Sequence, residues 1–137
     1  MPLQNSSGRM FFDHIAAFAN DQDRYNFLAG IPNGPDPFFE QEWLDFKGYP
    51  QAEKDQKRIW SKALSGFANI TDGVVVWGID ARPDRATKID AACGLRLIPN
   101  ARAFESRLRD WIRDATNPPV IGVDYMTLID ISGQRGC

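Results

Sequence analysis

Soft metal ligands are scarce in this chain of 137 residues, which holds two cysteines, Cys93 and Cys137, and a single histidine, His14. A structural zinc site takes four such ligands at short, paired spacings, so none is expected here, and two distant cysteines make no disulfide framework. No apolar run is long enough to cross a bilayer, and the amino terminus lacks the charged-then-apolar pattern of a secretion signal. A cytoplasmic protein with reduced thiols and no membrane association is the expectation. Excess positive charge is also missing. Sixteen Lys and Arg stand against eighteen Asp and Glu, for a net charge of -2 and a pI near 5.3. That balance excludes a surface that grips nucleic acid everywhere by counterion release, and leaves room for a local basic face.

What is present is ordinary globular material: 43% hydrophobic and 25% charged residues, with no internal repeat and no low-complexity tract. The length suits one domain with a real core. The chain is organised around Ser65 to Asp80. There Val74-Val75-Val76-Trp77 forms an apolar run, bounded by Gly73 and Gly78, that reads as a central strand covered on both faces and ending on Asp80 at the sheet rim. Asn69, Thr71, Asp72 and Gly73 are turn formers before it, a loop able to aim N–H groups at a phosphate but lacking the Lys of a P-loop.

In chain order, residues 1–9 are polar and expected to fray. Phe11 to Leu28 reads as one broken helix or two short ones, interrupted near Asn20-Asp21, and His14 within it as a partly buried histidine without a catalytic neighbour. Pro32, Gly34, Pro35 and Pro37 form a stiff linker. Residues 1–37 are thus a helical segment with a Pro-rich linker, and 38–137 the main domain. Phe38 to Lys47 is predicted as a strand. Gln51 to Asn69 is predicted as a helix with Ile59, Trp60, Ala63, Leu64 and Phe67 on one face, each large group contributing about 1.5–3 kcal/mol when buried. Ala81 to Lys88 is a charged turn, and Ile89 to Ile98 is a weakly apolar stretch of either short strand or turn. Asn100 caps a second helix presenting Phe104, Leu108, Trp111, Ile112 and Ala115, stopped by Asn117-Pro118-Pro119. Val120 to Ile131 reads as a strand and Ser132 to Gly136 as a hairpin turn. A strand so placed calls for a returning partner, and the domain is expected to be truncated at its carboxy-terminal end.

Glu40-Gln41-Glu42-Trp43-Leu44-Asp45-Phe46-Lys47, the helix ending Ser65-Gly66-Phe67-Ala68-Asn69 and the strand Gly73 to Asp80 together resemble the Schlafen-type AlbA-like domain, a family described as DNA-binding. The resemblance spans about residues 38–131. It implies an α+β fold, a mixed β-sheet packed against helices. It also implies a module of a larger bacterial protein, with a further domain following it; some such proteins are regulators or bind ATP. In Schlafen proteins a related domain is an endoribonuclease with three acidic residues, which fall here on Glu40, Asp45 and Asp80. Relative to the family pattern, Asp45 stands for a Glu, Ala81 for a second acid, and Ile70 and Asp72 for Thr and Gly.

Three convergent carboxylates would hold Mg²⁺ or Mn²⁺, oxygen-seeking cations that stabilise charge developing on a phosphate. Yet Glu40 and Asp45, five apart, would point to opposite faces of a regular strand, so Glu40 has to precede the strand, in a turn. The plainer reading makes all three surface acids beside Lys47, Arg82 and Arg85. Lys47 with Lys54, Lys57, Arg58 and Lys62 is the best candidate set for phosphate contacts. The arginines of the last helix, Arg102, Arg107, Arg109 and Arg113, alternate with acids and read as a solvated face. Trp43, Trp60, Trp77 and Trp111 are core before they are stacking platforms. The function read from this is nucleic-acid binding, DNA or RNA. Its alternatives are a metal-dependent endoribonuclease and an interaction domain that forms a homodimer.

Overall fold

The computed structural model describes residues 8–67, 73–118, 120 and 122–137. Two helices, α1 (Gly8–Ala16) and α2 (Asp21–Gly30), lead through a short 3₁₀ turn at Ile31–Asn33 to strand β1 (Leu44–Lys47) and helix α3 (Glu53–Phe67). Strands β2 (Val74–Trp77), β3 (Ile79–Pro83) and β4 (Asp90–Leu95) follow, and then helix α4 (Ala101–Ala115). Asn20 separates α1 from α2 because its side chain accepts from the Asp23 N–H at 2.9 Å, an N-cap at the predicted break. Asn100 does the same for α4, accepting from the Ala103 N–H at 3.2 Å.

β1 and β2 pair in parallel, Leu44 opposite Val74 through Lys47 opposite Trp77, joined by the right length of helix, α3, for a crossover. β3 and β4 pair antiparallel with an irregularity between Asp80 and Ala81. The α+β class is as expected, with parallel and antiparallel pairing in one molecule. The mixed sheet is divided into two two-stranded pieces, however, because the predicted central strand breaks at Gly78. Gly78 sits at φ +102°, which L side chains rarely adopt, and this turns the chain from a partner on one side to a partner on the other. Its N–H donates to Lys47 O at 2.7 Å while its carbonyl accepts from the Arg96 N–H at 2.9 Å, so one residue stitches the two pieces together.

Two apolar clusters lie on either face of β2, and the strand alternates between them. Val74 and Val76 pack with Phe11, Ile15, Leu28, Leu44 and Phe46; Val75 and Trp77 pack with Trp60, Leu64, Phe104 and Leu108. A strand covered on both faces is what the apolar run predicted. The amino-terminal helices supply Phe11, Ile15, Leu28 and Ile31 to the first cluster, so residues 8–37 share a core with β1 and β2.

Other expectations need correction. Phe38 to Lys47 is strand only over Leu44–Lys47; before it, Gln41 and Leu44 exchange reciprocal backbone bonds of 3.1 and 3.0 Å and fold the segment back on itself. Val120 to Ile131 forms no regular strand among its described residues, and Ile131 is 98% exposed. The following turn does return, however. Leu128 and Cys137 exchange N–H···O bonds of 3.0 Å in both directions, and Gly136 does so with Ile98 at 2.9 and 3.1 Å. The unassigned stretch 89–98 contains β4. His14 is exposed, edge-on to Phe18 and Phe27 on the helix surface, because its neighbours Phe11 and Ile15 take the inward face. The turn-former loop 69–72 lies outside the described residues. No helix among the described residues is long and apolar enough to cross a membrane.

Candidate nucleic-acid interface

The reciprocal turn at Gln41 and Leu44 settles how two acids five residues apart meet. Glu40 precedes the strand, anchored by its N–H to Asp90 O at 2.8 Å, and its side chain returns over β1 so that Oε2 accepts from the Phe46 N–H at 3.1 Å. There its carboxyl group hydrogen-bonds with the carboxylates of Asp45 and Asp90. Partial burial and these two acids push the Glu40 carboxyl up to about 8; the Phe46 N–H, which favours the charged form, opposes them. At neutral pH Glu40 is therefore largely protonated and donates to an acid partner, as like charges this close require. Asp45 alternates with Lys47 on the same strand face, and Lys47 Nζ lies 3.2 Å from Asp45 Oδ2.

Asp80 is not part of this pair. It stands on β3 opposite Gly94, where Arg96 Nε approaches its Oδ2 to 3.2 Å, and its carboxylate occupies the space a Cβ on Gly48 would fill. Among the described residues no three His, Cys, Asp or Glu side chains gather as they would around a metal. The Mg²⁺ or Mn²⁺ site expected of Glu40, Asp45 and Asp80 does not fit this arrangement: Glu40 is held largely protonated against Asp45, and Asp80 is ion-paired with Arg96.

The basic candidates divide as well. A groove of about 490 Å³ runs between residues 40–47 and the outer face of α3, and Lys47, Arg58 and Lys62 line it together with Glu40, Glu42 and Asp45. Lys54 and Lys57 lie on α3 away from it. Lys57 is drawn to Glu53 at 3.8 Å and over the Trp111 ring at 5.3 Å. Arg58 has a loose partner in Asp55 at 3.7 Å, and Lys62 has no ion-pair partner among the described residues. The α4 arginines behave as a solvated face, with Arg109 Nε 2.9 Å from Glu105. Trp60 and Trp77 are buried and Trp43 and Trp111 half-buried in packing roles.

Sequence reasoning missed Asp90 and Arg96. Both lie in the stretch 89–98, whose weak alternation gave no register, and no spacing rule links either to Glu40 or Asp80.

The family model described as Schlafen, AlbA_2 matches residues 40–135, starting on the acid that opens the groove. The chain belongs to this family. The Schlafen AlbA_2 match covers most of the sequence and every element from β1 to α4, and it brings association with nucleic acid as the coarse function. No curated protein and no solved structure matches the chain.

Proposed function

We propose that this Schlafen AlbA_2 domain binds DNA or RNA along the groove between β1 and α3, with Lys47, Arg58 and Lys62 meeting the phosphate backbone. The observation that carries the reading is the convergence of these three cations, from two separate elements, on one groove. The acids in the same groove count for less than the sequence implies. With Glu40 protonated, Glu42 and Asp45 are the charged acids lining it against three cations, which leaves a local positive balance on a protein of net charge -2. Such a small excess supports weak, salt-sensitive contact with a few phosphates rather than a broad grip.

The endoribonuclease alternative needs Asp80 to join the Glu40–Asp45 pair, and its ion pair with Arg96 at 3.2 Å counts against that role. Titration of the protein with fluorescently labelled single-stranded RNA and duplex DNA, at rising salt, tests the binding reading. Affinity is expected to fall as salt rises, and to weaken by roughly tenfold or more when Arg58 and Lys62 are both changed to Ala. Binding that ignores salt, or survives the double change intact, refutes it.

A further inference from the structure

The hairpin that joins β3 to β4 ends in a tip, residues 84–89, whose shape is fixed from inside. The Asp84 N–H donates to Ile89 O at 2.9 Å and the Lys88 N–H to Asp84 O at 2.8 Å. Asp84 Oδ2 fastens the turn between them, accepting from the Ala86 N–H at 3.2 Å, the Thr87 N–H at 3.0 Å and the Thr87 hydroxyl at 3.2 Å. Thr87 Oγ1 in turn accepts from the Ile89 N–H at 3.3 Å. This frame holds Lys88 at φ +64°, a left-handed conformation that glycine adopts freely and a long side chain rarely does. A cation stands where the backbone alone would favour none.

The charge of the tip is unbalanced. Arg85 and Lys88 are exposed on it, with Arg82 below them on β3, opposite Ala91. None of the three has an ion-pair partner among the described residues, and the only acid of the sequence outside those residues is Asp72, one charge against three. Asp84, the one acid within the tip, is engaged by the N–H and hydroxyl groups that shape it. The root of the hairpin touches the groove. Pro83 pairs with Asp90, whose carbonyl accepts from the Glu40 N–H at 2.8 Å, and Glu40 lines the groove. Glu40 therefore joins the groove to the hairpin.

We propose that the hairpin tip is a second phosphate-contact surface, and that a nucleic-acid strand held in the groove continues past Glu40 onto the hairpin, where Arg85 and Lys88 meet its backbone. This rests on the groove reading and lengthens it: the tip adds affinity only for strands long enough to reach both places. A turn already fixed by its own hydrogen bonds suits such contact, because its backbone needs no ordering on binding. Phosphates rather than bases are the partner, since residues 84–89 offer two cations and no aromatic ring for stacking.

Arg85→Gln combined with Lys88→Gly removes both charges and leaves the turn its backbone, since glycine accepts positive φ. Affinity is measured from low to high salt for labelled single strands, RNA and DNA, of about 4 and about 16 nucleotides. On the long strand this tip variant is expected to lower the slope of log affinity against log salt by about 1.4, for two lost phosphate contacts. On the short strand it binds as the unaltered protein does, which also shows that its fold is intact. Changing Arg58 and Lys62 to Ala weakens binding at both lengths. A tip variant that matches the unaltered protein on the long strand overturns the proposal and leaves the groove standing. Equal losses at both lengths overturn it as well, because they indicate diffuse attraction. If the groove variant keeps full affinity at both lengths, the groove reading fails, and the continuous track fails with it.

Discussion

The two edges of the β1–β2 pair lead to opposite kinds of space. Beyond β1 the chain builds a polar groove, with three cations and three carboxyl groups, of which Glu40 is held largely protonated. Beyond β2 it leaves an apolar slot walled by both core clusters. The difference teaches where stability and chemistry reside. The slot side holds the large buried aromatics, and changes there should cost folding energy. The groove side holds exposed, loosely paired charges, and changes there should alter binding at little cost to the fold.

The hardest test of that division is Trp60→Ala. Trp60 is 5% exposed, packs against Trp77 and donates its indole N–H to Leu108 O at 3.1 Å, tying α3 to α4. Removing it empties ring volume next to a cavity and takes away the indole bond that ties α3 to α4, for an expected loss of about 3–5 kcal/mol in urea unfolding. A loss below about 1 kcal/mol would show that the slot side is too loosely packed to carry the fold. Gly78→Ala comes next, at about 1–3 kcal/mol, because its φ of +102° is unfavourable to any Cβ and the new methyl would lie 3.0 Å from Gly136 O. A neutral result would mean that the two sheet pieces do not depend on this turn.

How much of this was legible in sequence follows from the range of each interaction. Helix caps at Asn20 and Asn100, and the two-faced alternation of Val74 to Trp77, are set by neighbours a few residues away, and both were readable. The need for Glu40 to precede the strand was also readable, from strand periodicity alone. The partners of the acids were not. Asp90 reaches Glu40, and Arg96 reaches Asp80, through the β3–β4 ladder, whose register depends on an irregularity at Asp80 that nothing local announces. The break at Gly78 was hidden for a related reason: a glycine bounding an apolar run marks either the end of a strand or a change of partner, and only the positions of β1 and β4 decide which.

A smaller effect separates the groove's chemistry from its fold. Glu40 is held neutral well above the ordinary carboxyl value of 4.5, so the fold favours its protonated form. That contribution is fully present below about pH 4.5 and is lost as pH rises through about 8. Stability of the wild-type protein should therefore decline across this window, by an amount on the order of 1 kcal/mol once solvent screening is allowed for. Glu40→Gln keeps an acceptor for the Phe46 N–H and a donor for Asp45 without the titration, so its melting temperature should vary less between about pH 5 and about pH 9. Parallel pH profiles for the two proteins would mean that the fold does not hold Glu40 protonated.

The finest comparison lies within one helix. Lys54 and Lys62 are both exposed on α3 and neither has an ion-pair partner among the described residues, yet Lys62 lines the groove and Lys54 does not. Each change to Ala should alter stability by less than about 0.5 kcal/mol, so folding cannot explain a difference between them. Each also removes one positive charge, so net charge cannot explain it. If phosphates run along the groove, Lys62→Ala lowers the slope of log affinity against log salt by about 0.9 on duplex DNA or about 0.7 on a single strand. Lys54→Ala leaves that slope unchanged. Equal losses would indicate diffuse attraction to the whole helix, and a larger loss at Lys54 would move the interface toward the amino-terminal end of α3.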